Sequence, residues 1–244
     1  MKLRYLIVLS FLVSSYSFSQ TVGIGIYSKS NVYHSKNNQI NFTPLINLES
    51  KKFYLKGYKI GLYFYKEPNF NVSVFFDPLV GYSDLYIKNS DLKEGYKNIK
   101  SRNTFIGGGI AADFILDKKT FGRVEISGGD KGIKGEMRFN QSFILTDRIT
   151  FTPGVYFKFF NKKYVNHFLG TDINDTKKNE KINKVYKGKD TIVGGLNANL
   201  DFSITEQMTA TIFTGVELYD NIKDSPLVKK EYSYYAGIGL RYSF

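Results

Sequence analysis

Apolar and polar positions alternate along most of the chain with a period of two, the signature of β-strands with one greasy and one polar face. The stretch YSYYAGIGLRYSF shows it most cleanly. Tyr232, Tyr234, Ala236, Ile238, Leu240, Tyr242 and Phe244 share one face, and Ser233, Tyr235, Gly237, Gly239, Arg241 and Ser243 the other. The same alternation covers residues 70–76, 106–116, 124–126, 133–145, 149–159, 193–204 and 208–218, with shorter segments at 22–27 and 40–48. In KFYLKGYKIGLYFYK the phase changes: Phe53 and Leu55 stand on odd positions, Tyr58, Ile60, Leu62 and Phe64 on even ones. A change of face requires a tight turn or a bulge near Gly57.

The polar face carries charges in mid-strand, at Asp77, Asp113, Arg123, Glu125, Lys134, Glu136, Arg138, Lys158, Asp201, Glu217 and Arg241. A β-sandwich would solvate them outside, whereas a transmembrane barrel would turn them into its lumen. The connections favour the barrel. They are short at 66–69, 117–119, 146–148 and 205–207 and long at about 83–102, 161–190 and 220–230. Tight periplasmic turns alternating with long extracellular loops sort in this way. The pattern therefore predicts an all-β fold, a transmembrane antiparallel β-barrel in the cell outer membrane. It has about twelve strands if the Gly57 stretch is two short strands, with ten as the alternative.

In this barrel the greasy face meets lipid, and Tyr232, Tyr234, Tyr242 and Phe244 supply aromatic girdles. The last strand is expected to pair with the first near Val22, leaving no open edge. Lys134, Glu136 and Arg138 facing Arg123 and Glu125 are expected to form a ladder of opposite charges that narrows the lumen. The functional alternative is a small-solute channel whose selectivity those charges set.

Composition adds detail. The chain opens MKLRYLIVLSFLVSSYSFSQ, with Lys2 and Arg4, an apolar run and then small residues, so residues 1–19 are expected to be a secretory signal peptide and 20–244 the barrel. There are 19 Tyr, 21 Phe and 22 Gly, but no Trp, and the absence of Cys rules out disulfides and thiol chemistry. The net charge of +12, or +10 without Lys2 and Arg4, suits acidic partners such as outer-membrane lipid and lipopolysaccharide. Nucleic acid is not expected, because the aromatics sit on strand faces and the leader exports the chain.

Little catalytic chemistry is available. His34-Ser35 lies in a polar loop, and His167 is the only other histidine. An outer-membrane lipid-modifying enzyme would need such a His and Ser together at a strand end, oriented by an acid, so the pair is expected to be ordinary loop residues and that enzyme is the last of the alternatives. Asp172, Asn174 and Asp175 hint at a calcium loop, but the glycine and distal glutamate of that pattern are missing. Loop 161–190 has eight Lys against three Asp and one Glu. It is expected to be solvated and flexible, with docking to acidic polymer as the alternative.

Longer stretches resemble a known family. VGIGI at 22–26, TPLINLESKKFYLKGYKIGLYF, FDPLVGYSDLYIKNSDLKEGYKNIKSRNTFIGGGIAADF with Arg102 and Gly107, and ELYDNIKDSPLVKKEYSYYAGIGLRYSF with Asp224, Ser225 and Pro226 are similar, in order, to segments of the MipA/OmpV outer-membrane proteins. The resemblance implies a non-enzymatic barrel with no catalytic residue and no cofactor. It implies a scaffold for a murein hydrolase/synthase complex or a surface adhesin. A terminal aromatic such as Phe244, after Tyr242, also resembles the signal read by the barrel-assembly machinery.

Overall fold

The computed structural model describes residues 20–244 other than Lys118, and the expected signal segment 1–19 lies outside the described residues. Twelve antiparallel strands form a closed barrel. They are β1 (Thr21–Ser30), β2 (Gln39–Pro44 continued by Asn47–Glu49), β3 (Phe53–Lys56), β4 (Lys59–Glu67), β5 (Phe70–Val80) and β6 (Phe105–Ile115). β7 (Thr120–Gly129), β8 (Gly132–Gln141 continued by Phe143–Thr146), β9 (Ile149–Phe160), β10 (Thr191–Ser203), β11 (Met208–Tyr219) and β12 (Tyr232–Ser243) complete the wall.

β12 pairs with β1, from Ser243 opposite Thr21 to Tyr234 opposite Ser30, so the last strand has a neighbour on both edges. Gly57, at φ +59°, makes the tight turn between β3 and β4. That turn is the cause of the phase change, and it makes the count twelve rather than ten.

On the outer surface Phe42, Ile26, Ile238 and Ile212 lie side by side across β2, β1, β12 and β11, all exposed. An apolar belt of this kind is stable only against lipid. No helix among the described residues is long and apolar enough to cross a membrane.

On the lumen face three tyrosines stand opposite glycines. Tyr54 lies directly opposite Gly61, Tyr156 opposite Gly195, and Tyr235 opposite Gly215. A β-carbon added to Gly61 or Gly195 would fall 2.2 Å from the facing ring, and one on Gly215 2.6 Å away. Each ring lies flat across bare backbone of the next strand, filling the interior without crowding it. Gly195→Ala should therefore displace Tyr156 and destabilise the barrel by about 1–3 kcal/mol. The check is the temperature at which the folded band disappears on a heat-modifiability gel; an unchanged temperature would contradict this packing.

The long loops converge into a cap over the extracellular end. Val32 and Tyr33 from loop 31–38, Leu85, Ile87 and Leu92 from 81–104, Ile182 and Tyr186 from 161–190, and Ile222 and Leu227 from 220–231 form one apolar core with Phe105 and Phe160 of the wall. The Tyr33 hydroxyl donates to the carbonyls of Leu85 (2.7 Å) and Phe168 (3.1 Å), tying two loops together.

Loop 161–190 departs from the flexible, solvated loop expected of it. It holds two helices, α1 (Lys162–Leu169) and α2 (Ile173–Lys178). Asn161 caps α1 by accepting from the Tyr164 amide, and Tyr164, Val165, Phe168 and Leu169 fall on its buried side. All eight lysines of the segment are exposed, so the basic composition belongs to the outer surface of a folded element. The expected sorting of connections also has two exceptions: the turns at 57–58 and 130–131 are short although they lie on the loop side.

Candidate functional site

The lumen is stopped near its outer mouth by one carboxylate delivered from the cap. Asp84, in loop 81–104, is almost fully buried and accepts from Lys158 Nζ (2.7 Å), Lys134 Nζ (3.0 Å) and the Tyr164 hydroxyl (3.0 Å). Lys29 Nζ donates to the backbone carbonyls of Ser83 (2.6 Å) and Asp84 (2.7 Å), holding the same turn from β1. Burial alone would raise the Asp84 pKa, but Lys134, Lys158 and Lys29 outweigh it and hold the carboxyl well below its ordinary value.

Glu217 completes the belt. It accepts from Lys158 (2.7 Å), Tyr156 (3.1 Å), Tyr219 (2.6 Å) and Ser233 (2.9 Å), with Lys29 at 3.6 Å. A buried ionic network is stable when every member is satisfied, and losing one partner leaves an uncompensated charge.

Below this belt the other charges pair along the wall. Glu136 binds Lys134 (3.2 Å) and Arg138 (2.7 Å), Glu125 binds Arg123 (2.9 Å) and Lys59, and Asp113 binds Arg123 (2.8 Å) and Lys56 (3.4 Å). At the periplasmic end Arg241 meets Asp201 at 2.8 Å.

The ladder expected between β7 and β8 is not formed. Register puts Arg123 opposite Arg138 and Glu125 opposite Glu136, like against like. Opposite charges meet two residues apart on the same strand, across β6–β7 where Asp113 faces Arg123, and through Lys56, Lys59 and Asp84 from elsewhere. Asp77 stands apart: its carboxylate accepts the Leu79 amide at a bulge, and among the described residues it makes no ion pair.

Among these charges, toward the periplasmic mouth, lies a cavity of about 1000 Å³. Charged side chains of β2–β4, β6, β7 and β8 line it together with Asn71, Asn140, Asn197 and Asn199. Arg123 Nη2 and the side-chain oxygens of Asn71 and Asn197 are buried there without a hydrogen-bond partner among the described residues. The lumen is thus a vestibule, open toward the periplasm and closed toward the cell surface.

Other expected residues have structural roles in the cap. Arg102 is buried and donates to the carbonyls of His167 (3.2 Å) and Gly170 (2.5 Å), with Asp175 at 3.4 Å. Ser225 Oγ donates to the Leu169 carbonyl at 2.7 Å, whereas Asp224 pairs with Lys189 at the surface and Pro226 continues the turn toward buried Leu227. The calcium hint at Asp172 and Asp175 is a helix cap: each carboxylate accepts the other's backbone amide at the start of α2.

His34 stacks on Tyr96 with ring centroids 4.4 Å apart, and burial, with Lys229 and Lys93 nearby, pushes it below its ordinary pKa. Ser35 bridges to Leu92 instead of facing His34. His167 Nε2 is 2.8 Å from the Asn103 carbonyl, against Phe105.

Sequence reasoning missed Asp84, Lys29, Lys56 and Lys59. Asp84 lies in a loop with no alternation to flag it, and the two lysines at the β3–β4 turn were hidden by the phase change.

The family model described as MltA-interacting protein MipA matches residues 22–244. The 24 kDa outer membrane protein of Pasteurella multocida (strain Pm70) is 26% identical over 248 residues, covering 95% of this chain and 94% of that protein. Among solved structures, the NanC porin in a rhombohedral crystal form superimposes with a TM-score of 0.51 at 9% identity, covering 91% of this chain and 100% of that one. At that identity the likeness is one of fold.

Proposed function

From the premise that the chain belongs to the MipA family and is an outer-membrane β-barrel, we propose that it is a non-enzymatic interaction protein. Its lumen, stopped at the cell surface, receives a segment of a periplasmic murein hydrolase/synthase complex. The observation that carries this reading is the occupation of the outer mouth by Asp84 and the cap. A conducting pore needs a continuous aqueous path, and the latched carboxylate lies across it.

The turns at 50–52, 68–69 and 147–148 leave little surface beyond the periplasmic rim. A partner therefore gains most by entering the vestibule, where amides and both signs of charge suit an extended peptide or glycan. On the outside, the exposed lysines of 161–190 favour contact with lipopolysaccharide phosphate. A nucleophile needs a base oriented by a third group, and neither histidine has such a setting among the described residues.

Purified protein in planar bilayers is expected to give no conductance steps at any voltage. Steady openings would overturn this reading in favour of a small-solute channel. A photo-crosslinking residue at position 199, on the vestibule wall near its periplasmic mouth, is expected to capture murein enzymes in intact cells, and adducts with lipid alone would remove the partner.

A further inference from the structure

We propose that the wall between β2 and β5 is a lateral portal through which a single-chain zwitterionic amphiphile passes between the lumen and the surrounding lipid. This is independent of the partner reading. β3 is four residues long and turns back at Gly57 far below the rim. Its pairing with β2 covers only Asn47–Glu49, and β4 pairs with β5 only as far as Ile60 opposite Phe76. Among the described residues Gln39–Pro44 therefore has β1 on one edge and no strand on the other, and residues 77–80 of β5 have β6 on one edge only.

The gap lies at the depth of the apolar belt, because Phe42 is level with Ile26 and Ile238. Four strand residues rise about 13 Å, so the opening is large on the scale of an acyl chain. Backbone groups facing hydrocarbon must be satisfied. Here the Phe42 carbonyl accepts from two side chains, the hydroxyls of Tyr58 (2.9 Å) and Tyr82 (3.4 Å). Two tyrosine hydroxyls stand where a strand ladder would be, and a side-chain closure opens without breaking the barrel.

A cavity of about 340 Å³ runs inward from Thr43, Leu79 and Tyr82 to Arg123 and Arg138. Lys56, Arg123 and Arg138 also line the periplasmic vestibule, so the two spaces adjoin. Outside, a groove of about 530 Å³ continues upward between Ile40, Phe42, Tyr82 and Tyr86, with Lys36 and Lys88 at its rim. With the cap closing the outer mouth, the gap is the exit from the lumen toward lipid. Its size, at the small end for ligand sites, suits one chain rather than two. Both charge signs meet inside, with Lys59 and Arg123 beside Glu125 and Glu136, which matches a head group carrying both.

The test uses a lysophosphatidylcholine with a diazirine on its acyl chain, added to the full barrel in lipid nanodiscs, with adducts mapped by mass spectrometry. Adducts are expected at Thr43 and Leu79, above a bilayer background at lipid-facing Ile126. Tyr82→Phe, which removes one hydrogen bond and keeps the ring, should raise the adducts in the gap about fivefold. Thr43→Trp, which fills the gap from the lumen side, should abolish them, with Ile126 unchanged in both variants. Adducts confined to lipid-facing positions, or adducts in the gap that neither substitution alters, would overturn the portal.

Discussion

Asp84→Ala should free the cap and open the barrel. The carboxylate is the only acceptor from the cap that reaches Lys134 and Lys158 among the described residues. Removing one partner of such a buried network costs about 3–5 kcal/mol, because the charges left behind stay out of water. Lys158 retains Glu217, but Lys134 keeps only Glu136, which is shared with Arg138. The expected result is conductance steps in planar bilayers and protease cleavage within 81–104 from outside, on a barrel that remains folded. Asp84→Asn, which keeps the shape and loses the charge, should fall between. A silent, protease-resistant Asp84→Ala barrel would show that the apolar core of the cap suffices alone.

The latch has a pH dependence of definite sign. Because the folded pKa of Asp84 lies well below the ordinary value of 3.8, its contribution is fully present above that value and is lost as pH falls further toward the folded pKa. Lys29, Lys134, Lys158 and Tyr164 face it from the wall and α1. The wild-type barrel should thus stay closed from neutral pH to about 4 and open only in stronger acid. Opening near neutral pH would assign the closure to another group.

Deleting Phe244 should reduce the amount of assembled barrel severalfold while leaving synthesis unchanged. The Phe244 amide donates to the Gln20 carbonyl at 3.0 Å, extending the seam one step past the Ser243–Thr21 pair, and its ring stacks on Tyr242. The deletion removes both a seam bond and half of the periplasmic girdle at the strand that closes the barrel. Heat-modifiable protein in outer-membrane fractions measures it. Normal assembly would take Phe244 out of both seam and recognition signal.

The barrel was legible because lipid and lumen impose their contrast at every second residue, from Val22 to Phe244. Even the turn at Gly57 announced itself as a change of phase. What escaped depends on register or on long-range contact. Arg123 and Glu125 were correctly placed inside, but which residue stands opposite each follows from the 130–131 turn, which puts Gly129 opposite Gly132. In α1 the spacing of Tyr164 and Phe168 was present yet masked by neighbouring lysines. Asp84 meets partners 50 and 74 residues away and sits in no periodic segment. Arg102 and Ser225 were picked out by family resemblance alone, and their physical task of clamping α1 emerges only once the loops are folded together.

The lumen opens to the periplasm and is shut at the cell surface, and one thiol tests both halves of that statement. With no cysteine in the chain, Asn199→Cys places a single thiol in the vestibule. A polyethylene glycol maleimide too large for general porins should leave that thiol unmodified in intact cells and modify it once the outer membrane is breached. Modification in intact cells would contradict the closed outer mouth.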